Sequence, residues 1–184
     1  HLDENTIVYN NEIECVLAKD SIKFITIGRF SPEKGHERLI LAFNEFCSDF
    51  PDAQLIIIGG YGVEYEKTCE LVDSVEYGDN ITLINNISNP MPILKECDLF
   101  ILSSYHEGWP MVLMEADTLC VPIISTDIAS TRAMGHYAGQ LVENSQEGIL
   151  KGMHDFVDGK VLCCNSDFEK YNDVAVDEFY SLLQ

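Results

Sequence analysis

The amino-acid sequence predicts an α/β domain with a Rossmann-like three-layer arrangement, a parallel sheet of about six strands between two layers of helices. Strand-like and helix-like segments alternate along the 184 residues, and this alternation is typical of parallel sheets with right-handed crossovers. Several strand candidates are continuous apolar runs, as expected for strands buried on both faces. The chain is 46% hydrophobic and long enough to bury a core, so we expect one domain.

The order of elements also predicts where a ligand would bind. The strand candidates are residues 22–27, 54–58, 81–84, 99–102, 121–125 and 139–142. Helices are predicted at residues 33–50, 64–77, 92–96, 111–119, 146–157 and 168–183. Ligands of such sheets bind beyond the carboxyl ends of the strands. Gly28, Gly59, the loop 85–90 and Glu107 all fall there.

The first residues do not fit this repeat. Residues 7–10 have the composition of a strand that enters from elsewhere. We therefore expect residues 1–18 to form an inter-domain hinge and residues 19–184 to form the domain. The chain opens on His1 rather than Met, as expected if an N-terminal part is missing.

Charge and cysteine usage restrict the partners and the compartment. The formal net charge is −20, which argues against nucleic acid and anionic membrane surfaces as partners. None of the seven cysteines forms a Cys-x-x-Cys pair, and the five histidines lack metal-ligand spacing, so no metal site is expected. Apolar neighbours suggest buried free thiols, which suit a reducing, cytoplasmic compartment. These cysteines are Cys47, Cys69, Cys97 and Cys120.

The segment after the fourth strand candidate carries the strongest functional pattern. Glu107 follows the apolar run 99–102, the element Gly108-Trp109-Pro110 breaks the strand, and a helix containing Glu115 begins at Met111. Free N–H groups at a helix start suit an anion, and carboxylates suit sugar hydroxyls. The combination favours a phosphorylated sugar carrier as ligand. The alternative is two ordinary acids near a helix start, stabilised by its dipole.

A second pattern joins the first strand to its helix. Arg29 and Lys34 flank a turn at the strand's carboxyl end, where two cations could clamp a diphosphate. The alternative is that both pair with Glu33 or Glu37 on the surface. The run Gly59–Gly62 is only half of a dinucleotide-binding fingerprint, so NAD is not expected.

With both patterns in view, the chain resembles the nucleotide-sugar-binding half of the group 1 family of retaining, GT-B-type glycosyltransferases. The segments that carry the resemblance are residues 28–35, 56–59, 97–103 and 121–127, and the pair Glu107 and Glu115. The resemblance implies that Arg29 and Lys34 hold the donor diphosphate and that Glu107 bonds hydroxyls of the transferred sugar, so these three are the expected catalytic residues. The family often has Gly-Asp-Gly-Pro where this chain has Gly59–Gly62, a departure that affects one loop of the site.

The resemblance implies further donor contacts. Backbone amides of Gly108, Trp109, Pro110 and Met111 would support Glu107, although proline has no N–H to give. Amides near Val112 and Leu113 would meet the distal phosphate, Glu115 would bind the ribose, and the base would lie near Asn86 and Ile87. Gly28 completes the expected donor-binding set. No cofactor is required in this scheme, and magnesium is compatible with it but not indicated, because the sequence has no Asp-x-Asp pair.

The resemblance also implies an incomplete enzyme of hexosyltransferase type. The acceptor-binding N-terminal domain would be absent, so this fragment alone should be inactive. An acceptor glycan or polymer, and any peripheral contact with the inner membrane face, would depend on the missing part. Residues 168–172 and 179–180 are similar to tails of modules linked to bacterial teichoic-acid-type or cell-surface polysaccharide synthesis. Two alternatives stay open at this point, a nucleotide-sugar epimerase and a non-catalytic Rossmann-like binding module.

Overall fold

A computed structural model describes residues 11–60 and 62–163. It contains six strands: β1 Lys23–Ile27, β2 Gln54–Ile58, β3 Ile81–Ile84, β4 Leu99–Leu102, β5 Ile123–Thr126 and β6 Gln140–Val142. They form one parallel sheet in the order β3-β2-β1-β4-β5-β6. This confirms the predicted fold class. The order reverses between β1 and β4, and this reversal opens a crevice at the carboxyl ends of the two strands.

Seven α-helices surround the sheet in the described residues: α1 Asn11–Leu17, α2 His36–Phe46, α3 Tyr65–Ser74, α4 Met91–Lys95, α5 Val112–Thr118, α6 Ala129–Met134 and α7 Gln146–Val157. The bounds of α7 are as predicted, whereas α1 and α6 were not predicted. None of the helices described is long and apolar enough to cross a membrane. The helix predicted at 168–183 and the strand-like residues 7–10 lie outside the described residues.

The sheet separates two hydrophobic cores, because successive residues of a strand point to opposite faces. Phe24 packs in the core beneath α2, α3 and α7, and Ile25 packs in the core beneath α1, α4 and α5. Every residue of β2 and of β4 is buried, which explains why these strands are apolar apart from Gln54, the first residue of β2. Ile13 and Val16 of α1 belong to the second core. Part of the segment expected to be a hinge therefore packs on the domain.

The helix predicted over 33–50 is divided in the structure. A 3-10 turn, Pro32–Lys34, precedes Gly35, whose φ of 64° is left-handed. A Cβ atom on Gly35 would lie 2.4 Å from the carbonyl oxygen of Ser103 at the end of β4. The chain needs glycine here both for its backbone angle and for this close approach. Only after Gly35 does α2 begin, and it ends at Phe46 rather than Phe50.

The cysteine predictions are confirmed in part. Cys47 and Cys97 are buried, and burial raises the pKa of each thiol to about 12. Cys69 is partly exposed and Cys120 is exposed, so the prediction of burial is wrong for Cys120. Cys120 lies in the turn after α5 with a φ of 57°, and this turn carries its side chain outward although its sequence neighbours are apolar.

Candidate functional site

Two loops meet at the point where the strand order reverses. The β1 loop (residues 28–35) follows β1, and the β4 loop (residues 103–111) follows β4. The Ser103 hydroxyl donates to the Lys34 carbonyl over 2.8 Å. The Tyr105 amide donates to the Glu33 carbonyl, also over 2.8 Å. These bonds hold the loops side by side, so the two sequence patterns share one crevice.

The centre of this crevice is an ion pair between the loops. Lys34 Nζ lies 2.6 Å from Glu107 Oε1, and the Ser104 hydroxyl donates to the same oxygen over 2.6 Å. The side chains of Lys34 and Glu107 are only 19% and 11% exposed. Charge-assisted hydrogen bonds are strong in such a setting. An ammonium has three donors and a carboxylate two oxygens, so both groups keep hydrogen-bonding capacity for a ligand.

A glycine makes room for the lysine stem. A Cβ on Gly28 would lie 3.2 Å from Lys34 Cδ, so the lysine passes closely over the end of β1. The Gly28 amide donates to the Ile58 carbonyl over 2.8 Å and continues the pairing of β1 with β2. The missing side chain at Gly28 leaves space for the stem of Lys34, whose ammonium contacts Glu107.

Arg29 behaves differently from Lys34. Its side chain is 73% exposed, and its Nη2 lies 3.5 Å from Glu33 Oε1. The alternative pairing with Glu33 is thus the one observed for Arg29, whereas Lys34 takes Glu107 as its partner. An exposed pair of this kind contributes little, so Arg29 can turn to a different anion at small cost.

An open pocket of about 300 Å³ adjoins Arg29. It lies across the carboxyl ends of β1, β2 and β3, where Gly28, Arg29, Asn86 and Ile87 come together. Its remaining lining residues are Ile27, Ile58, Gly59, Gly60 and Pro90. Apolar and backbone surfaces of this type suit a planar ring with a few polar edges.

The β4 loop presents its tip to solvent. Gly108 is exposed, and a Cβ there would meet nothing within 4 Å. Trp109 and Met111 are 52% and 54% exposed, whereas Pro110 between them is buried. The backbone next to Glu107 is therefore accessible to solvent, and the chain's single tryptophan lies exposed two residues after Glu107.

Helix α5 begins directly after this tip. The Leu113 amide donates to the Pro110 carbonyl over 3.1 Å, so this amide is already engaged. Within the described residues the Val112 amide has no such bond. Glu115 lies in the first turn of α5 with an exposed side chain. Of the two amides assigned to a phosphate by resemblance, Val112 keeps the more available N–H.

Two residues near the crevice were not identified from the sequence. Arg38 is 5% exposed and its guanidinium donates to two backbone carbonyls, at Ser103 and Asn144. His36 is also 5% exposed, and burial, with a smaller effect of Lys34, lowers its pKa to about 4, so it is neutral near pH 7. In the sequence Arg38 only adds to a local excess of basic residues, and nothing distinguishes it from a surface base.

Comparisons with known proteins bear on the family of the chain. Residues 11–163 match the model of the family described as glycosyl transferases group 1. An uncharacterised glycosyltransferase of Methanocaldococcus jannaschii is 39% identical over 109 residues, 59% of this chain and 27% of that protein. The capsular polysaccharide biosynthesis glycosyltransferase CapM of Staphylococcus aureus is 27% identical over 155 residues, 80% of this chain and 38% of CapM.

A solved structure of similar extent shows the same fold. It is the C-terminal domain of a glycosyl transferase group 1 family protein, LpcC, from Francisella tularensis, with a TM-score of 0.64 and 20% identity. The match covers 80% of this chain and 81% of that one. The chain spans less than half the length of the two curated relatives. Since the family model matches most of the sequence, the chain belongs to the group 1 family of glycosyl transferases.

Proposed function

We propose that this chain is the donor-binding domain of a retaining glycosyltransferase that moves a sugar from a nucleotide diphosphate to an acceptor. The observation that carries the proposal is the Lys34–Glu107 pair. The two side chains lie 2.6 Å apart, on two loops that meet where the strand order reverses between β1 and β4. A cation and a carboxylate fixed side by side suit a ligand that carries phosphate and hydroxyl groups together.

Each group has a distinct role in this proposal. Lys34 binds the diphosphate and stabilises the negative charge that develops on it as the bond to the sugar breaks. Arg29 leaves Glu33 and adds a second positive charge. Glu107 accepts hydrogen bonds from sugar hydroxyls through the oxygen that neither Lys34 nor Ser104 engages. Because the side chains of Lys34 and Glu107 already contact each other, these two residues need little reorganisation when the donor binds.

The base and ribose extend along the sheet from this point. The pocket at Arg29, Asn86 and Ile87 accepts the base, and Glu115 at the start of α5 bonds the ribose. In this scheme Lys34 and Arg29 neutralise the diphosphate without a required metal. EDTA should therefore leave nucleotide affinity unchanged, and a large loss of affinity on chelation would contradict this part of the proposal.

The acceptor is a glycan or polymer bound by a domain outside this chain. The similarity to the structure of the LpcC C-terminal domain supports assigning this chain to the corresponding half of a two-domain enzyme. The similarity to CapM, a capsular polysaccharide biosynthesis glycosyltransferase, supports a cell-surface polysaccharide as the product. Within that class, we propose a teichoic-acid-type polymer. The buried free thiols Cys47 and Cys97 suit a cytoplasmic site of action.

The test is a thermal-shift screen of UDP, GDP, ADP and CDP sugars, followed by calorimetry of the best ligand. A ligand of the native state raises the melting temperature by mass action. We expect one nucleotide class to bind and no sugar to be transferred by this chain alone in a radiolabelled donor assay. Absence of binding by every nucleotide would refute the proposal, and conversion of a donor without an acceptor would favour an epimerase instead.

In the complete enzyme, Glu107→Gln is the decisive variant. The amide keeps the shape of the side chain but loses its charge and half of its accepting capacity. We expect lower turnover with an intact fold. Wild-type turnover by Glu107→Gln would show that Glu107 does not bind the transferred sugar.

A further inference from the structure

Arg38 is a buried cation without a carboxylate partner among the described residues. It lies on α2 and is 5% exposed. A buried charge is costly unless other groups replace its water. Burial lowers the pKa of Arg38, yet a guanidinium stays protonated in proteins. Its environment must therefore supply strong acceptors.

Those acceptors come from the two loops that follow β4 and β6. Nε and Nη2 both donate to the Ser103 carbonyl, over 3.0 and 2.6 Å. Nη1 donates to the Asn144 carbonyl over 3.1 Å. The Tyr105 ring covers the guanidinium, with Cζ 3.8 Å from the ring centroid, and shields it from water.

These contacts fix the segment that leads to Glu107. Ser103 and Tyr105 are held by Arg38, and the Ser104 carbonyl between them accepts the Thr126 hydroxyl over 2.6 Å. The Ser104 hydroxyl in turn donates to Glu107. A shift of residues 103–105 would therefore move Glu107 relative to Lys34.

We propose that Arg38 is a positioning residue that holds the β4 loop so that Glu107 stays in contact with Lys34. Among the described residues it contacts neither Glu107 nor Lys34, and it acts through Ser103 and Tyr105. The expected effect of Arg38 on donor binding rests on the proposed function, whereas its effect on the position of the β4 loop does not.

The test compares Arg38→Met with Ile40→Val. Methionine keeps the length of the arginine stem but removes all three hydrogen bonds, and Ile40 is a fully buried residue of the same helix that packs in the core. Hydrogen exchange is measured for residues 103–108 and for β2, and the affinity of the nucleotide selected by the thermal-shift screen is measured by calorimetry. Arg38→Lys serves as the conservative variant, and it also replaces Arg38→Met if the latter does not fold.

We expect Arg38→Met, which removes all three hydrogen bonds, to speed exchange in residues 103–108 and to weaken nucleotide binding. Each effect should be at least roughly tenfold, which is the low end of the effect of losing a single charge-assisted bond. Arg38→Lys has a single ammonium in place of the branched guanidinium, so its exchange rate and its nucleotide affinity should both be intermediate. Ile40→Val should change neither. The proposal would be overturned if exchange in residues 103–108 were equally fast in Arg38→Met and Ile40→Val. It would also be overturned if Arg38→Met showed faster exchange but bound the nucleotide with wild-type affinity. If the wild-type chain binds no nucleotide, the proposed function fails while exchange still decides the role of Arg38.

Discussion

The ion pair at the centre of the crevice allows a quantitative prediction for Lys34→Met. The substitution keeps the stem that packs over Gly28 and removes the ammonium. Glu107, 11% exposed, then keeps the Ser104 hydroxyl as its donor. Removing one partner of a fully buried pair costs about 3–5 kcal/mol. Because Glu107 keeps this one donor and some access to water, we expect a smaller loss, about 2 kcal/mol in the free energy of unfolding.

The assay for this loss is urea unfolding with a matched control. Lys67→Met removes a lysine that is 62% exposed and pairs with Glu37 and Glu64, which should cost less than about 1 kcal/mol. Thermal unfolding of Lys34→Met should occur roughly 4–8 °C lower than in the wild type. Equal losses for Lys34→Met and Lys67→Met would refute the argument that burial strengthens the pair.

A double variant separates the two contributions of Lys34. In Lys34→Met with Glu107→Leu no unpaired carboxylate is left, so stability should be higher than in Lys34→Met alone. Nucleotide affinity should not recover, because the phosphate contact, worth about 1.5–3 kcal/mol, is still missing. Recovery of both quantities would mean that Lys34 only neutralises Glu107.

Three further predictions concern neighbouring features. The pKa of His36 is about 4 in the folded chain against about 6.5 unfolded, so the unfolded state binds more protons between these values. The His36 contribution, on the order of 3 kcal/mol, should be complete above pH 6.5 and lost as pH falls toward 4. In urea unfolding measured across this pH range, His36→Leu should flatten the dependence of stability on pH, and an unchanged dependence would exclude His36 as its source. Gly35→Ala should cost roughly 2–4 kcal/mol from backbone strain plus the clash with Ser103. Gly159→Ala, with positive φ but open space, should cost only about 1 kcal/mol, and equal unfolding midpoints would exclude the clash. Fluorescence of Trp109, the single tryptophan, should change on titration with a bound nucleotide sugar and not with the free nucleoside; an unchanged signal would place the sugar away from the β4 loop.

The centre of the sheet was predictable because its strands are buried on both faces: every residue of β2, β4 and β5 is buried. β2, β3 and β4 have the bounds expected from apolar runs that end at glycine or polar residues. The start of α2 was not predictable from helical periodicity alone, since Gly35 is required by the carbonyl of Ser103, which is distant in the sequence. The short helix α6 lacks a long apolar stripe, and its Thr131 is buried by contacts with Thr126 and Ile128.

The site was predictable to the level of the sheet edge at which it lies. The loops carrying Lys34 and Glu107 both follow strands of a parallel sheet, so they had to reach the same edge. That β1 and β4 are neighbours, which brings the two loops together, does not follow from the handedness of the crossovers and is seen in the structure. The pairing of Arg29 with Glu33 and of Lys34 with Glu107 depends on side-chain placement, which the sequence does not specify. Arg38 was missed because its acceptors are backbone carbonyls. Every residue has a backbone carbonyl, so the amino-acid sequence does not show which ones accept from Arg38.

The most direct measurement is a crystal structure of this chain with the nucleotide diphosphate sugar that gives the largest thermal shift. We expect a phosphate oxygen within about 3 Å of Lys34 Nζ, the sugar hydroxyls at Glu107 and the base between Arg29 and Ile87. A nucleotide bound elsewhere, for example in the groove of Glu37, Lys67 and Leu71 between α2 and α3, would contradict the assignment of the crevice as the donor site.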